Sequence, residues 1–150
     1  MEFTGLECGW KHVKVGVNST IEKFVTIWLC PRSGISPTIC FGNRSFVGQN
    51  SYFGVFDRIE IGSNVMIGAF SYVTSASHIF ASRELPMRDQ GFEGAPVIVE
   101  DDVWVGTHCV LLPGVIVGEG SIVGAGSVVT KSIPSGEIWA GAPARLIGRR

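Results

Sequence analysis

Between Val99 and Pro134 the chain reads VEDDVW VGTHCV LLPGVI VGEGSI VGAGSV VTKSIP, six consecutive hexads without a slip. Each hexad opens on Val or Leu: Val99, Val105, Leu111, Val117, Val123 and Val129. The fifth place holds a modest or small residue, in turn Val103, Cys109, Val115, Ser121, Ser127 and Ile133. Glycine takes the second place at Gly106, Gly118 and Gly124. Neither a helical period of 3.6 nor simple strand alternation produces that register. A fixed repeat of six points to a β-helix. Each hexad supplies a short strand and a tight bend, with the large first residue turned inward and the fifth filling the corner beside it. Gly, Asn, Ser and Asp suit the bends, where positive φ or a local side-chain hydrogen bond is useful. Three hexads close one triangular coil, and coils stack at about 4.8 Å, the ordinary strand spacing.

Upstream the same beat continues with interruptions. Val15, Ile21 and Ile27 form one run of inward positions, Phe41, Val47 and Phe53 a second, and Ile61, Ile67 and Val73 a third. The phase slips by two residues across Pro31–Thr38 and again near Gly54–Glu60, as small corner insertions would require. One large break spans Thr74–Ile98. A loop of that length inside a compact repeat is more often functional than decorative. The expected fold is therefore all-β: a left-handed parallel β-helix, a hexapeptide-repeat prism, with one long inserted loop at about 74–98. Residues 1–150 are expected to form one domain ending in a tail at 135–150.

Composition narrows the function. A length of 150 residues leaves no room for a second core of normal size. The 45% hydrophobic content and 20 glycines suit β structure. A net charge of −1 provides no basic field for nucleic acid. No apolar run approaches the roughly 20 residues of a membrane span, and Met1-Glu2-Phe3-Thr4 does not open a signal peptide. The expected location is the cytoplasm. Cys8, Cys30, Cys40 and Cys109 show no zinc-like spacing. Cys109 reads as a small core residue, and a Cys30–Cys40 disulfide is not expected in a reducing compartment.

Three histidines remain. His108 takes a fourth place, a bend position that points outward, and His12 lies in an atypical first coil. A zinc enzyme of the γ-carbonic-anhydrase kind draws a close pair of histidines from one segment, and that pair is absent, so no metal is expected. His78 stands where the regular coil gives way to the long loop, preceded by Ser75, Ala76 and Ser77, which leave space around it. A structural role and a role in a cleft are both open to it on position alone.

The segment Ile61–Arg145 resembles the hexapeptide-repeat acyltransferases, in particular the maltose, galactoside and nodulation-type sugar O-acetyltransferases and those of polysaccharide gene clusters. Four features carry the resemblance: the hexads, the His at the mouth of the loop (SASHIF), the string DDVWVGTHCVLLPGVIVGEGSIVGAGSVVTKSIP, and the terminal GAPARLIG. It implies that His78 is the catalytic base, taking the proton from an acceptor hydroxyl as that oxygen attacks the thioester of acetyl-CoA. It implies that the backbone N–H of Thr107 holds the resulting oxyanion. Trp104 matches an aromatic wall beside the pantetheine arm, and Gly124 with Ala125 a segment whose bare backbone approaches pantetheine amides. Thr130 and Lys131 match positions near the nucleotide, as do Pro143 and Arg145. Lys131 and Arg145 rank above the terminal Arg149 and Arg150.

Acceptor recognition departs from the family pattern. The Asn that the family sets across from its base aligns with Gly48, two residues before Asn50. Asn50 and Asp57 are the substrate candidates, with Asn43 behind them, and each also fits as a bend residue. The resemblance further implies acetyl-CoA as co-substrate, a sugar or polysaccharide precursor as acceptor, and a homotrimer with sites between subunits. Two alternatives stand beside it: a non-catalytic β-helix scaffold, and a zinc enzyme of the carbonic-anhydrase kind.

Overall fold

A computed structural model describes residues 2–4, 10–30 and 36–150, with side chains placed over 11–30 and 36–150. Cys8 lies outside the described residues. The chain winds into a left-handed parallel β-helix of five coils with three faces. The first face stacks Val13–Val15, Thr38–Phe41, Arg58–Ile61, Val97–Val99 and Ile116–Val117. On the second lie Thr20–Ile21, Phe46–Val47, Met66–Ile67, Trp104–Val105 and Ile122–Val123. The third carries Thr26–Leu29, Tyr52–Val55, Tyr72–Thr74, Val110–Leu111 and Val128–Val129, with Glu2–Thr4 paired beneath. Among the described residues no helix is long and apolar enough to cross a membrane.

The six-residue beat acts as a ruler for the interior. All six first places and all six fifth places between Val99 and Ile133 are buried, at 2% exposure or less. Each fully buried Val or Leu contributes about 1.5–3 kcal/mol, and one apolar cluster runs from Val13 to Ala144. Serines at fifth places keep their hydroxyls bonded inside the wall: Ser45 Oγ donates to the Gly62 carbonyl at 2.7 Å and Ser121 Oγ to that of Pro134 at 2.8 Å. Among the described residues no buried side-chain N or O lacks a partner. Val15 departs from the ruler: expected inside, it is 42% exposed. It points inward at the end of the first coil, where among the described residues no strand lies beneath it on the first face.

Two corners hold a constant form. The fourth-place residues of the first corner (Asn18, Arg44, Asn64, Asp102, Gly120) and of the second (Phe24, Asn50, Phe70, His108, Gly126) all have φ between 56° and 71°. A side chain pays for this left-handed conformation, by roughly 1–2 kcal/mol, and an inter-coil bond from the same residue offsets the cost, as His108 N–H donating to the Ala69 carbonyl at 3.0 Å. The third corner takes all the irregularity. Register pairs Val15 with Phe41, Phe41 with Ile61, Ile61 with Val99 and Val99 with Val117, so successive coils span 26, 20, 38 and 18 residues. Every excess over 18 falls after the third face.

The largest excess is a ribbon. Ala76–His78 pairs antiparallel with Phe92–Gly94, and the tip between them contains the short 3-10 turn Met87–Asp89. The expected tail also differs from a plain extension. Glu137–Gly141 joins the second face in parallel, and Ala144–Arg149 folds back on it through the cis Ala142–Pro143 bond. The sequence there alternates enough apolar residues to close the prism: Trp139 packs against the core and Ala144 is 2% exposed.

Candidate active site

The sequence-derived residues fall into two groups, at the two edges of the third face. At the second corner, Trp104 stands outward on the second face, 50% exposed, between Met66 below and Ile122 above. Three residues on, the chain turns through Thr107. Gly124 and Ala125 occupy the equivalent places one coil higher. A Cβ on Gly124 would lie 2.9 Å from Ala140 Cβ, so this glycine lets the terminal hairpin close over the corner. That hairpin carries Pro143 and Arg145, both exposed, and is tied down by Gly141 N–H donating to Ser127 Oγ at 3.1 Å.

The amides of this corner set it apart. At the first corner, outward N–H groups are met by side chains of a neighbouring coil: Val17 by Asn43 Oδ1 at 2.9 Å, Ser63 by Asp101 Oδ1 at 2.8 Å, Glu119 by Glu100 Oε2 at 2.8 Å. At the second corner the lower Gln49 N–H is met in the same way by Glu22 Oε2 at 2.9 Å, whereas those of Ala69, Thr107 and Ala125, on the three coils above, meet no acceptor among the described residues. They form a column of three donors at the coil spacing, beside an outward tryptophan. The Thr107 hydroxyl is already engaged, 2.6 Å from the Ala69 carbonyl and 2.9 Å from His108 Nδ1. Only the amide of Thr107 is left to bind an anion.

The other group surrounds the ribbon at the third corner. His78 is exposed and sits opposite Phe92, ring centroids 4.0 Å apart. Phe92 in turn leans on the buried Phe56 at 6.3 Å. Cross-strand partners share one side of a ribbon and successive residues alternate. His78 and Phe92 therefore face one way, Ser77 and Glu93 the other. The Ser77 side lines a cavity of about 350 Å³ with Ala95, Leu112, Pro113 and Thr130. Thr130 and its neighbour Lys131, both exposed, thus border the opposite side of the ribbon from His78. Asp57 lies at this same corner. Its Oδ1 accepts from Arg58 N–H at 2.7 Å and its N–H donates to Ser75 Oγ at 3.0 Å, the bonding of a bend residue. Asn50 is instead at the second corner, exposed with φ 58°, its N–H on the Lys23 carbonyl at 3.3 Å. Gly48 admits no side chain there, because a Cβ would clash with the backbone of Ala69.

The third face separates the groups. Four or five residues at about 3.3 Å each put His78's edge roughly 15 Å from the edge of Thr107 and Ala125. One chain holds two half-sites. Among the cations, Arg149 pairs with Glu137 at 3.1 Å and Arg150 with Asp102 at 2.7 Å, whereas Lys131 and Arg145 appear in no ion pair among the described residues. Cys109 is fully buried and its Sγ donates to the Gly124 carbonyl at 3.2 Å. Burial pushes its thiol pKa up, against the pull of backbone hydrogen bonds at Ser127 and Gly126.

Two contributors carry no signal in the sequence. Gln90 closes the ribbon tip, its Oε1 accepting from Ser82 N–H at 3.0 Å and its Nε2 donating to the Ser82 and Leu85 carbonyls at 2.9 Å. Phe70 and His108, 38 residues apart, stack as parallel plates on the second corner. Only the stacking of coils brings such pairs together.

Residues 96–131 match the family model for the bacterial transferase hexapeptide (six repeats), and residues 39–75 match that for the hexapeptide repeat of succinyl-transferase. A putative acetyltransferase of Schizosaccharomyces pombe is 41% identical over 71% of this chain and 51% of its own length. A putative colanic acid biosynthesis acetyltransferase of Escherichia coli is 30% identical over 91% of this chain and 69% of its own. A crystal structure of a hexapeptide-repeat-containing acetyltransferase of Vibrio cholerae, complexed with acetyl coenzyme A, superposes with a TM-score of 0.81 at 28% identity, covering 93% of this chain and 73% of that one. The chain spans about half to two thirds of the length of the curated relatives it matches.

Proposed function

Because this chain belongs to the hexapeptide-repeat acetyltransferase family, we propose that it moves an acetyl group from acetyl-CoA directly to a hydroxyl of a sugar or polysaccharide precursor. The observation that carries this reading is the column of unpaired amides at Ala69, Thr107 and Ala125, set beside Trp104 and backed by bare glycine. Donors fixed in the backbone need no reorganisation when charge develops, which is what stabilising an oxyanion requires.

The reaction runs in one displacement. His78 takes the proton of the acceptor hydroxyl as that oxygen attacks the thioester carbon, an imidazole being suited to this near neutral pH. The carbonyl oxygen becomes an oxyanion held by Thr107 N–H. The tetrahedral intermediate collapses, the carbon–sulfur bond breaks, and the proton on His78 goes to the departing CoA thiolate. Trp104 walls the pantetheine arm, Gly124 and Ala125 let it approach, and Thr130, Lys131, Pro143 and Arg145 surround the nucleotide and its phosphates. Asn50 and Asp57 are the candidates for holding the acceptor.

The two half-sites of one chain, about 15 Å apart, are joined when the His78 edge of one prism meets the Thr107 edge of the next. A cyclic trimer completes three such sites with one repeated interface. The domain reading is a single catalytic prism over residues 1–150, without a metal. Acetyl-CoA is an intracellular co-substrate, so we read the location as cytoplasmic.

The test is release of free CoA thiol from acetyl-CoA with a panel of mono- and oligosaccharides. Acceptor-dependent release in the wild type, lost in His78→Ala, is the expected result. A protein that binds acetyl-CoA in calorimetry but releases thiol with no saccharide loses the acceptor assignment. One that does not bind acetyl-CoA is a scaffold.

A further inference from the structure

His78 is held by its face. Among the described residues, the imidazole nitrogens with a hydrogen-bond partner belong to His12 and His108. His78 meets the ring of Phe92 instead, with centroids 4.0 Å apart and planes tilted by 38°. The register of the ribbon makes that contact close. Ala95 N–H donates to the Ser75 carbonyl and Ile79 N–H to that of Gly91, each at 3.1 Å. The bonded pairs are thus 75 with 95 and 79 with 91, and by alternation 77 with 93. His78 and Phe92 form a non-hydrogen-bonded pair, the kind whose Cα atoms approach to about 4.5 Å and whose side chains lie nearest.

Phe92 is itself backed from the prism. Ala76 and Gly94 lie two residues from this pair and so share its side of the ribbon. A Cβ on Gly94 would clash with the Phe56 ring, so the glycine lets that ring lie against the base of the ribbon. Phe56 is 3% exposed, its N–H donates to Ser75 Oγ at 2.9 Å, and its ring stands 6.3 Å from that of Phe92. Three rings therefore run from the buried wall to the exposed imidazole: Phe56, Phe92, His78. A face contact suits a base. It restricts rotation of the imidazole and leaves both nitrogens free to exchange a proton with a substrate.

We propose that Phe92 is the positioning residue of the base, fixing the plane of His78 and stabilising, through the negative face of its ring, the imidazolium that forms as the acceptor hydroxyl gives up its proton. The assignment rests on His78 as the base and deepens that reading. A cation within about 6 Å of an aromatic centroid is attracted to the ring face, and His78 lies well inside that range. The attraction acts on the charged form alone. It is therefore absent from the neutral resting base and present in the transition state, the condition for raising kcat rather than affinity. The proton passes from the acceptor oxygen to His78 and from there to the departing thiolate; Phe92 exchanges none.

Fluorination drains the negative face of an aromatic ring and changes its size little, so it separates this role from packing. Full chains carrying mono-, tri- and pentafluorophenylalanine at position 92, together with Phe92→Leu and Phe92→Tyr, are titrated by NMR of the imidazole Cε1–H. The His78 signal is the one missing in His78→Ala. The charged side chains on the surrounding elements are Asp57 at the corner, Glu93 across the ribbon, and Arg83, Glu84, Arg88 and Asp89 in the tip. They are the same in every chain of the series, so a change reports the ring. The proton affinity of His78 should fall stepwise with fluorine content, and about two- to fivefold in Phe92→Leu, the worth of an exposed cation–π contact. Phe92→Tyr should stay within twofold of wild type. In thiol release, kcat read at a pH above the titration should fall in the same order, with the Kd for acetyl-CoA within twofold throughout. A His78 proton affinity that ignores fluorine overturns the proposal, even where Phe92→Leu lowers thermal stability, because packing alone then accounts for the ring. Turnover that survives in His78→Ala overturns the base and this inference with it; a flat fluorine series beside an inactive His78→Ala overturns this inference alone.

Discussion

Gly68 and Gly42 are matched glycines with different neighbours, and they separate catalysis from stability. A Cβ on Gly68 would lie 2.5 Å from Thr107 N and 2.8 Å from Thr107 Cα. A Cβ on Gly42 would lie 2.5 Å from Gly62 C and 2.6 Å from Ser63 N, at the first corner and away from both half-sites. Ordinary contact begins near 3.4 Å, so either Gly→Ala forces backbone to move by somewhat under 1 Å. Overpacking of this kind costs about 1–3 kcal/mol. Both variants should therefore lose thermal stability by similar amounts, at about 2–4 °C per kcal/mol for a chain of this size. Only Gly68→Ala moves the amide assigned to the oxyanion. A displacement near 1 Å at the reacting centre costs on the order of 10²-fold, as does loss of one oxyanion donor. In the thiol-release assay kcat should fall about a hundredfold in Gly68→Ala and stay within threefold of wild type in Gly42→Ala. If both lose stability equally and Gly68→Ala keeps its kcat, the Thr107 amide is not the oxyanion donor.

Further expectations follow from single contacts. His78→Ala should lower kcat about 10²- to 10⁴-fold and leave the Kd for acetyl-CoA within twofold; unchanged turnover removes His78 as the base. Gln90→Ala unties the ribbon tip from Ser82 and Leu85, so KM for the saccharide should rise severalfold, while KM for acetyl-CoA stays put. Equal rises in both would show that the tip serves the donor instead. For Cys109, burial raises the thiol pKa in the folded state. The unfolded chain then releases this proton first, from about pH 8.5 upward, so stability is full below that pH and declines as pH rises towards the folded value. Denaturant titrations of Cys109→Ser, where Ser71 and Ser127 show that the fifth place accepts a hydroxyl, should show a shallower alkaline decline than wild type.

Legibility of the fold followed the hexad. A strict six-residue pattern with branched first places has one economical way to bury its side chains, so the prism is readable from Val99 onward and traceable back to Val15. Two features were less legible, for a common reason. The burial of a first place depends on a strand beneath it, which Val15 lacks among the described residues, and the hairpin at Glu137–Arg149 depends on a final coil exposed above it. Both are end effects, invisible to a periodic rule. Asn50, two residues from the position that matches the family Asn, and Asp57 are both substrate candidates in the sequence; they stand at different corners, because position along a coil decides which edge a residue joins.

By itself, the sequence determined the repeat, the sorting of Cys109 inward and His108 outward, and the place where the beat breaks at His78. These are local facts, set by side-chain size and bend chemistry within a few residues. What only the tertiary structure decided is how separate coils align. Stacking leaves the amides of Ala69, Thr107 and Ala125 unpaired in one column, while those of Val17, Asn43, Ser63 and Glu119 at the first corner find side chains. It sets His108 on Phe70 and leaves Gly126 open above. It also places His78 on the far edge of the third face, on the other side of its ribbon from Thr130. Each of these relations joins residues at least 18 positions apart, and their spacing comes from the coil repeat and the lengths of corner insertions.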